Sequence, residues 1–432
     1  MKRKTVKTIC ICAVLLLLSL FATPKCDASS SHKNFCVDKN KYRLVKMLVL
    51  SRHNIRSPLS GGSSVLSEVT NHKWFDWSSR PSELSLRGGN LESEMGQYFR
   101  KYLVDRGLME ENWIPTGKTV RIYANSKQRT IATAKIFSSG MFPIANINVE
   151  HHGKIGIADP IFSSALTFTS KKYEADVEKQ KDELINLADL EDNFELLEKV
   201  LDYKQSNYAK KLPKLIATDA KIIFKLKNEQ TIKGSLKIAL AASDALTLQY
   251  YEETDEKKAA FGHDISLKDR LAISEIADTY IHMLFGLPLI SINVAHPLLK
   301  EINRELLNNE RIFTFLCGHD SNIVSVLSAL DAKEYRLPCS VERQTPIGGK
   351  IVIEKWKDKR DGKEYYSVSY VYQSSEQLRK RPLLDLKNPP VKYRLEFNGL
   401  NANSDGLYNA KDIIDRFKAA IKAYDDMVAK YK

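Results

Sequence analysis

Three short apolar runs, each closed by a polar and chemically capable stretch, frame the chain: Leu44 to Leu50, Val120 to Tyr123 and Ile312 to Cys317. Continuous apolar runs of this length, bounded by turn signals, predict strands buried on both faces, as inside a parallel sheet. The residues that follow them are Ser51-Arg52-His53-Asn54, Asn125-Ser126-Lys127-Gln128-Arg129 and Gly318-His319-Asp320-Ser321-Asn322. In α/β sheets ligands gather beyond the carboxyl ends of the strands, so these segments are expected to build one pocket.

Between Pro160 and about Ile290 the period changes. Leu184, Leu187, Leu190, Phe194, Leu197 and Leu201 recur at helical spacing among Glu, Lys and Asp, which predicts a mostly helical stretch. A helix is expected from Asp320 through Leu330, then two alternating strands, Lys350–Lys355 and Tyr365–Tyr372, around the turn pair Asp361-Gly362. The segment Ala410–Lys432 has the pattern of an amphipathic helix. The expected fold class is α/β, with a mixed, largely parallel central sheet, flanking helices and a mostly helical inserted subdomain. The expected boundaries are 1–28 for a leader, 40–155 and 290–432 for the α/β core, and 156–289 for the insertion.

With 432 residues and 43% hydrophobic content, the chain can bury a large core. Its 66 Lys and Arg against 53 Asp and Glu give a net charge of +13, which favours anionic ligands. It has no zinc-finger spacing, aromatic-interleaved basic patch or RNA-binding signature, so nucleic acid is not an expected partner. Part of the charge belongs to the N-terminus, where Lys2, Arg3, Lys4 and Lys7 precede the apolar run Ile9–Ala22 and the small polar stretch Cys26-Asp27-Ala28-Ser29-Ser30. That order is the signature of a secretory signal peptide, and the run falls short of the roughly 18 residues of a membrane span. Cleavage after Ala28 removes five Lys or Arg and one Asp, leaving about +9 on an expected periplasmic or extracellular protein with no membrane attachment. Cys36, Cys317 and Cys339 then remain, an odd number, with a Cys317–Cys339 bridge left open.

In Arg52-His53-Asn54-Ile55-Arg56-Ser57-Pro58 two guanidinium groups flank an imidazole directly after a strand. Guanidinium binds phosphate oxygens in bidentate fashion, and an imidazole among cations stays neutral and keeps the lone pair an attacking nitrogen needs. Gly318-His319-Asp320 opens a helix after another strand, where backbone N–H groups favour an anion. A carboxyl beside a bound dianion has its protonated form favoured, which suits Asp320 to proton donation.

Arg52-His53-X-X-Arg56-X-Pro58 with a distant His319-Asp320 resembles the histidine acid phosphatases, a branch of the histidine phosphatases. Further blocks carry the likeness: Tyr123 to Thr130, Leu248 to Glu252, Gly318 to Ile323 and Arg343 to Lys350. Within that family it is similar to the bacterial glucose-1-phosphatase group, which shares Asn54 where most members have Gly. The resemblance implies a phosphomonoesterase acting on small phosphate esters, glucose 1-phosphate or related sugar phosphates, through a phosphohistidine. It implies His53 as nucleophile, Asp320 as proton donor, and Arg52, Arg56, Arg129 and His319 as phosphate ligands. Glu252 would stand at the pocket mouth, where it accepts sugar hydroxyls and repels polyphosphates, with adjacent Glu253 leaving that choice open. Asn54 is expected to narrow the pocket.

No cofactor is expected. His151, His152, His263, His282 and His296 lack metal-ligand spacing with carboxylates or cysteines, so no metal is expected either. The alternatives are a phytase-like inositol polyphosphate phosphatase, which needs a more cationic pocket wall, and a non-catalytic binder of sugar phosphates. The oligomeric state stays open between monomer and homodimer.

Overall fold

The computed structural model describes residues 35–59 and 64–432. The predicted leader lies outside the described residues. The elements are β1 (Tyr42–Arg52), α1 (Val65–Glu68), α2 (Leu86–Asp105), β2 (Val120–Ala124), α3 (Gln128–Met141), β3 (Val149–Glu150), α4 (Lys171–Leu184), α5 (Glu191–Val200), β4 (Lys221–Ile223) and β5 (Thr231–Lys233). They continue as α6 (Ser235–Glu252), α7 (Leu267–Ile281), α8 (Pro288–Leu307), β6 (Phe313–Gly318), α9 (Asp320–Ala329), β7 (Lys350–Asp358), β8 (Glu364–Tyr372), α10 (Ser375–Lys380), β9 (Val391–Arg394), β10 (Tyr408–Asn409) and α11 (Ala410–Tyr431).

The main sheet runs β10-β8-β7-β1-β6-β2-β3, with β9 on β8. β1, β6, β2 and β3 are parallel, whereas β7, β8, β9 and β10 pair antiparallel. The sheet is therefore mixed, and the three strands expected from apolar runs lie side by side with β6 in the middle. Alternation along β1 sends Met47 and Val49 to one face and Leu48 and Leu50 to the other. The first face packs on α2 and α3 through Phe99, Phe137 and Phe315; the second packs on α8, α9 and α11 through Leu299, Ile323 and Phe417. Truncating one of these side chains to Ala would cost about 2–5 kcal/mol. The β7–β8 hairpin turns at Asp361-Gly362, with Gly362 at φ +72°.

Helices α4 to α7, together with the short β4–β5 hairpin, follow β3 and share a separate apolar cluster containing Tyr173, Phe194, Leu197, Leu201 and Ile276. Of the residues that predicted this stretch, Leu190, Phe194, Leu197 and Leu201 are buried, but Leu184 ends α4 on the surface. Cys317 is a free, buried thiol, so the possible bridge to Cys339 does not form. Burial also pushes that thiol far above its ordinary pKa. Among the described residues no single helix is long and apolar enough to cross a membrane.

Candidate active site

The register β1–β6–β2 sets the site. Arg52 pairs with Gly318, and Ala124 with Cys317, so three chain segments leave the sheet at one level. His53 N–H donates to the Gly318 carbonyl at 3.1 Å, and Arg52 N–H to that of Gly349 at 2.9 Å, pinning the Arg52-His53 segment on both sides. Beyond these ends lies a cleft of about 1000 Å³ lined by Arg52, His53, Arg56, Arg129, His319 and Asp320. All the predicted site residues except Glu252 meet there.

His53 is 2% exposed, and its Nδ1 stands 2.9 Å from the Asn54 carbonyl oxygen. A carbonyl can only accept, so Nδ1 carries the proton and Nε2 keeps its lone pair when the ring is neutral. The ring does stay neutral. Burial, then the positive charge of Arg129, with Arg56 and Arg52 adding to it, hold it well below the usual imidazole pKa.

Asn54 does not face the cleft. It is fully buried, its Nδ2 donates to Glu92 Oε2 at 2.8 Å, and its Oδ1 accepts from Ile55 N–H at 2.8 Å. Glu92 Oε1 lies 2.9 Å from Lys350 Nζ, both side chains being wholly excluded from water. Lys350 also donates to Ser51 Oγ at 3.0 Å and to the Gly348 carbonyl at 2.9 Å. Gly348, at φ +68°, is required here, because a Cβ would sit 2.7 Å from Asn54 Nδ2. The expected narrowing of the pocket by Asn54 is therefore replaced by an anchor behind His53.

Arg52 lies between two carboxylates, with Nη1 2.6 Å from Glu342 Oε1 and Nη2 3.1 Å from Asp320 Oδ2. Glu342 is itself held by Tyr251 O–H at 3.1 Å and Ile347 N–H at 3.0 Å. Arg56 Nη2 reaches Asp244 of α6 at 3.1 Å. Among the described residues no carboxylate lies within ion-pair distance of Arg129, whose Nη2 stands 3.4 Å from His319 Nδ1. Burial and the charge of Arg56 lower its guanidinium to about 10. The Nε groups of Arg52, Arg56 and Arg129 are all buried and without a protein acceptor. Three convergent, under-satisfied guanidiniums are the donor set a phosphate dianion needs.

Asp320 opens α9, and its Oδ1 accepts from Ser321 N–H at 2.8 Å. Burial alone would raise its carboxyl, but Arg52 and His319 outweigh burial and bring it below the usual carboxylate range. His319, beside it, is held well below the usual imidazole value by burial and Arg129, although Asp320 opposes the shift. His319 Nε2 lies 2.7 Å from Asn125 Nδ2.

Glu252 is placed elsewhere. At the end of α6 it accepts from Ser85 Oγ and pairs with Arg87 at 3.2 Å, and neither it nor Glu253 lines the cleft. The acids on the cleft wall are instead Glu83, Glu229, Asp244, Asp278 and Glu342, in addition to Asp320. Glu229 opens to the cleft water, yet crowding by protein and the charge of Asp320 push its carboxyl up. Asp278 is raised to about 8 by burial and by Glu275 and Glu342, so it is a neutral acid over most of the acidic range.

A buried neutral imidazole with one committed nitrogen, ringed by three guanidiniums and facing a carboxyl on a helix N-terminus, defines a phosphoryl-transfer centre. The chain belongs to the histidine phosphatase superfamily (branch 2), whose family model matches residues 43–373. It is a phosphomonoesterase of the histidine acid phosphatase type. It is 37% identical over 376 residues to the glucose-1-phosphatase of Providencia rettgeri, covering 85% of this chain and 90% of that enzyme. It is equally 37% identical, over 372 residues, to the glucose-1-phosphatase of Salmonella typhimurium, with the same coverage of both chains. The solved phytase of Citrobacter braakii superposes with a TM-score of 0.79 at 25% identity, covering 89% of this chain and 98% of that one.

Proposed function

We propose that this protein hydrolyses small sugar phosphates, glucose 1-phosphate foremost, in two steps through a phosphohistidine on His53. The observation that carries the reading is the convergence of Arg52, Arg56 and Arg129 on an imidazole whose Nδ1 is committed to a backbone carbonyl. In the first step His53 Nε2 attacks phosphorus in line, the P–O bond to the sugar breaks, and the Asp320 proton goes to the departing oxygen. In the second, water attacks phosphorus, the P–N bond breaks, the Asp320 carboxylate takes the water's proton, and orthophosphate leaves. The three guanidiniums, with His319, stabilise charge on the equatorial oxygens.

In the free enzyme Asp320 is ionised, because Arg52 and His319 depress its carboxyl. Bound phosphate dianion takes up the positive charge of Arg52 and repels the carboxylate, so substrate itself brings Asp320 to the acid form. An acidic optimum follows.

The cleft wall favours a small substrate over a polyphosphate. It carries six Lys or Arg and six Asp or Glu. Arg52, Arg56, Lys127 and Arg129 come from outside residues 156–289, while that segment contributes Glu229, Asp244 and Asp278 together with Lys227 and Lys237. We assign that segment as a cap over the cleft, its carboxylates accepting sugar hydroxyls and repelling additional phosphates. The N-terminal signature supports export to the periplasm or beyond.

Side-by-side kcat/KM for glucose 1-phosphate and for inositol hexakisphosphate tests the reading. The expected order is glucose 1-phosphate ahead by at least about tenfold, equivalent to roughly 1.4 kcal/mol. Equal turnover of both, or phytate ahead, would move the protein to the phytase-like alternative. Binding without turnover would leave only the non-catalytic one.

A further inference from the structure

We infer that His72, Asp202 and His263 form a binding site for a first-row divalent transition ion of the Zn²⁺ class, separate from the phosphatase centre. One ligand atom from each lies within 4.8 Å of the other two. His72 Nε2 is 2.7 Å, and His263 Nε2 3.4 Å, from the same Asp202 Oδ2. Zinc binds imidazole nitrogen and carboxylate oxygen at about 2.0–2.2 Å, so its tetrahedral ligands stand roughly 3.3 Å apart. The His263–Asp202 separation already matches that edge, the His72–Asp202 separation is shorter, and side-chain shifts on the order of 1 Å would seat an ion.

Two imidazoles and one carboxylate form a donor set that suits Zn²⁺ and its neighbours rather than Mg²⁺ or Ca²⁺, which take oxygen ligands. All three side chains are part-exposed, at 32%, 37% and 27%, so an ion has access and a water can fill a remaining position. The ligands come from three separate pieces of chain: the loop after α1, the junction after α5 and the loop before α7. Their spacing along the sequence therefore gives no sign of a metal site.

The surrounding structure holds the donors in place. The His72 ring stacks on Phe261 at 4.8 Å with 9° between planes, and Phe261 meets Trp74 edge-on at 5.0 Å. Thr70 Oγ1 donates to the Leu201 carbonyl at 2.6 Å, docking the His72 loop beside Asp202. Asp202 has φ +47°, and Phe261 and Gly262, which deliver His263, have φ +56° and +93°. Trp74 Nε1 donates to the Leu66 carbonyl at 2.8 Å, and Leu66 lines the cleft. An ion here clips together three segments, one of which reaches the cleft rim.

The test uses the purified full chain, stripped with EDTA and free of any affinity tag. Zn²⁺ is titrated by calorimetry, and Co²⁺ is added as a visible-absorption probe of tetrahedral nitrogen and oxygen coordination. The expected result is one ion per chain, tetrahedral cobalt bands, and a melting temperature raised by Zn²⁺. His72→Gln and His263→Gln should each weaken binding more than about tenfold, the scale on which metal sites respond to disturbed ligation, and abolish the cobalt bands. Turnover of glucose 1-phosphate by these variants reports that they fold. Asp202→Asn provides a further variant, because it can keep the hydrogen bond to His72 while removing the ligand charge. Zn²⁺ affinity unchanged in the His72→Gln/His263→Gln double variant would overturn the site, as would failure of the unsubstituted protein to bind Zn²⁺ stoichiometrically.

Discussion

Replacing Glu92 by Gln keeps the shape of the anchor behind His53 and removes its negative charge. The Lys350 ammonium, fully buried and 2.9 Å from Glu92, would then face only the neutral oxygens of Ser51 and Gly348. Breaking a buried pair from one side costs about 3–5 kcal/mol, because an uncompensated charge is left behind. Lysine also has an escape, which sets a ceiling. Losing its proton at pH 7, against an ordinary pKa near 10.4, costs about 4.6 kcal/mol. The Glu92→Gln deficit should therefore fall between roughly 3 and 4.6 kcal/mol at pH 7. If the variant lysine is deprotonated in the fold, stability rises with pH because the unfolded chain binds the extra proton. The deficit then shrinks by up to about 1.4 kcal/mol per pH unit. Urea unfolding at pH 7 and pH 9 measures both numbers. The double variant Glu92→Gln/Lys350→Met, with neither charge, should recover much of the loss. A Glu92→Gln deficit under about 1 kcal/mol, or a double variant as weak as the two single losses added together, would refute the reasoning. The same variant should lower kcat more than it raises KM, since Asn54 presents the carbonyl that holds His53 Nδ1.

Arg129→Met should lower kcat/KM by about 10- to 150-fold, the worth of a charge-assisted hydrogen bond of roughly 1.5–3 kcal/mol. It should also raise the melting temperature of the free protein, because Arg129 is a crowded cation lowered to about 10; a variant that melts lower contradicts the second half. Asp320→Asn should cost about 10²–10⁴ in kcat on glucose 1-phosphate, whose leaving alcohol needs a proton, and far less on p-nitrophenyl phosphate, whose leaving group does not. Equal losses on both esters would remove Asp320 from the acid role. Asp278, raised to about 8, keeps its proton in the fold at a pH where the unfolded chain has lost it. Its contribution to stability is therefore present below pH 4 and lost as pH rises towards 8. Asp278→Asn should match the native melting temperature near pH 4 and exceed it increasingly to pH 8, the gap growing by no more than about 1.4 kcal/mol per pH unit. A gap that does not depend on pH would show that the carboxyl is ionised throughout.

The parts of the site that are legible in sequence share one physical cause. β1, β2 and β6 are buried on both faces, so each is a continuous apolar run, and the parallel arrangement sends their polar sequels to the same edge of the sheet. Those two facts suffice to bring Arg52, His53, Arg56, Arg129, His319 and Asp320 together. Strands β3 and β10 have two residues each and leave no periodic trace, so the apolar pattern misses both edges of the sheet, β3 on the parallel side and β10 on the antiparallel side. The cleft carboxylates contributed by residues 156–289 are illegible for a different reason. Asp244 meets Arg56 across 188 residues, and the helical period of α6 marks its buried face without saying which partly exposed residue turns to the cleft. Glu252 shows the converse error, since a matched block fixes a helix end but not the direction of a side chain, and Ser85 and Arg87 take this one. Asn54 is the most instructive case. Adjacent residues in extended chain point to opposite sides, so a side chain next to His53 should be expected behind the imidazole rather than in the pocket. Whatever Asn54 does for specificity must therefore pass through the carbonyl it shares with His53, and the place to look for substrate choice is the Asp244 and Glu229 side of the cleft.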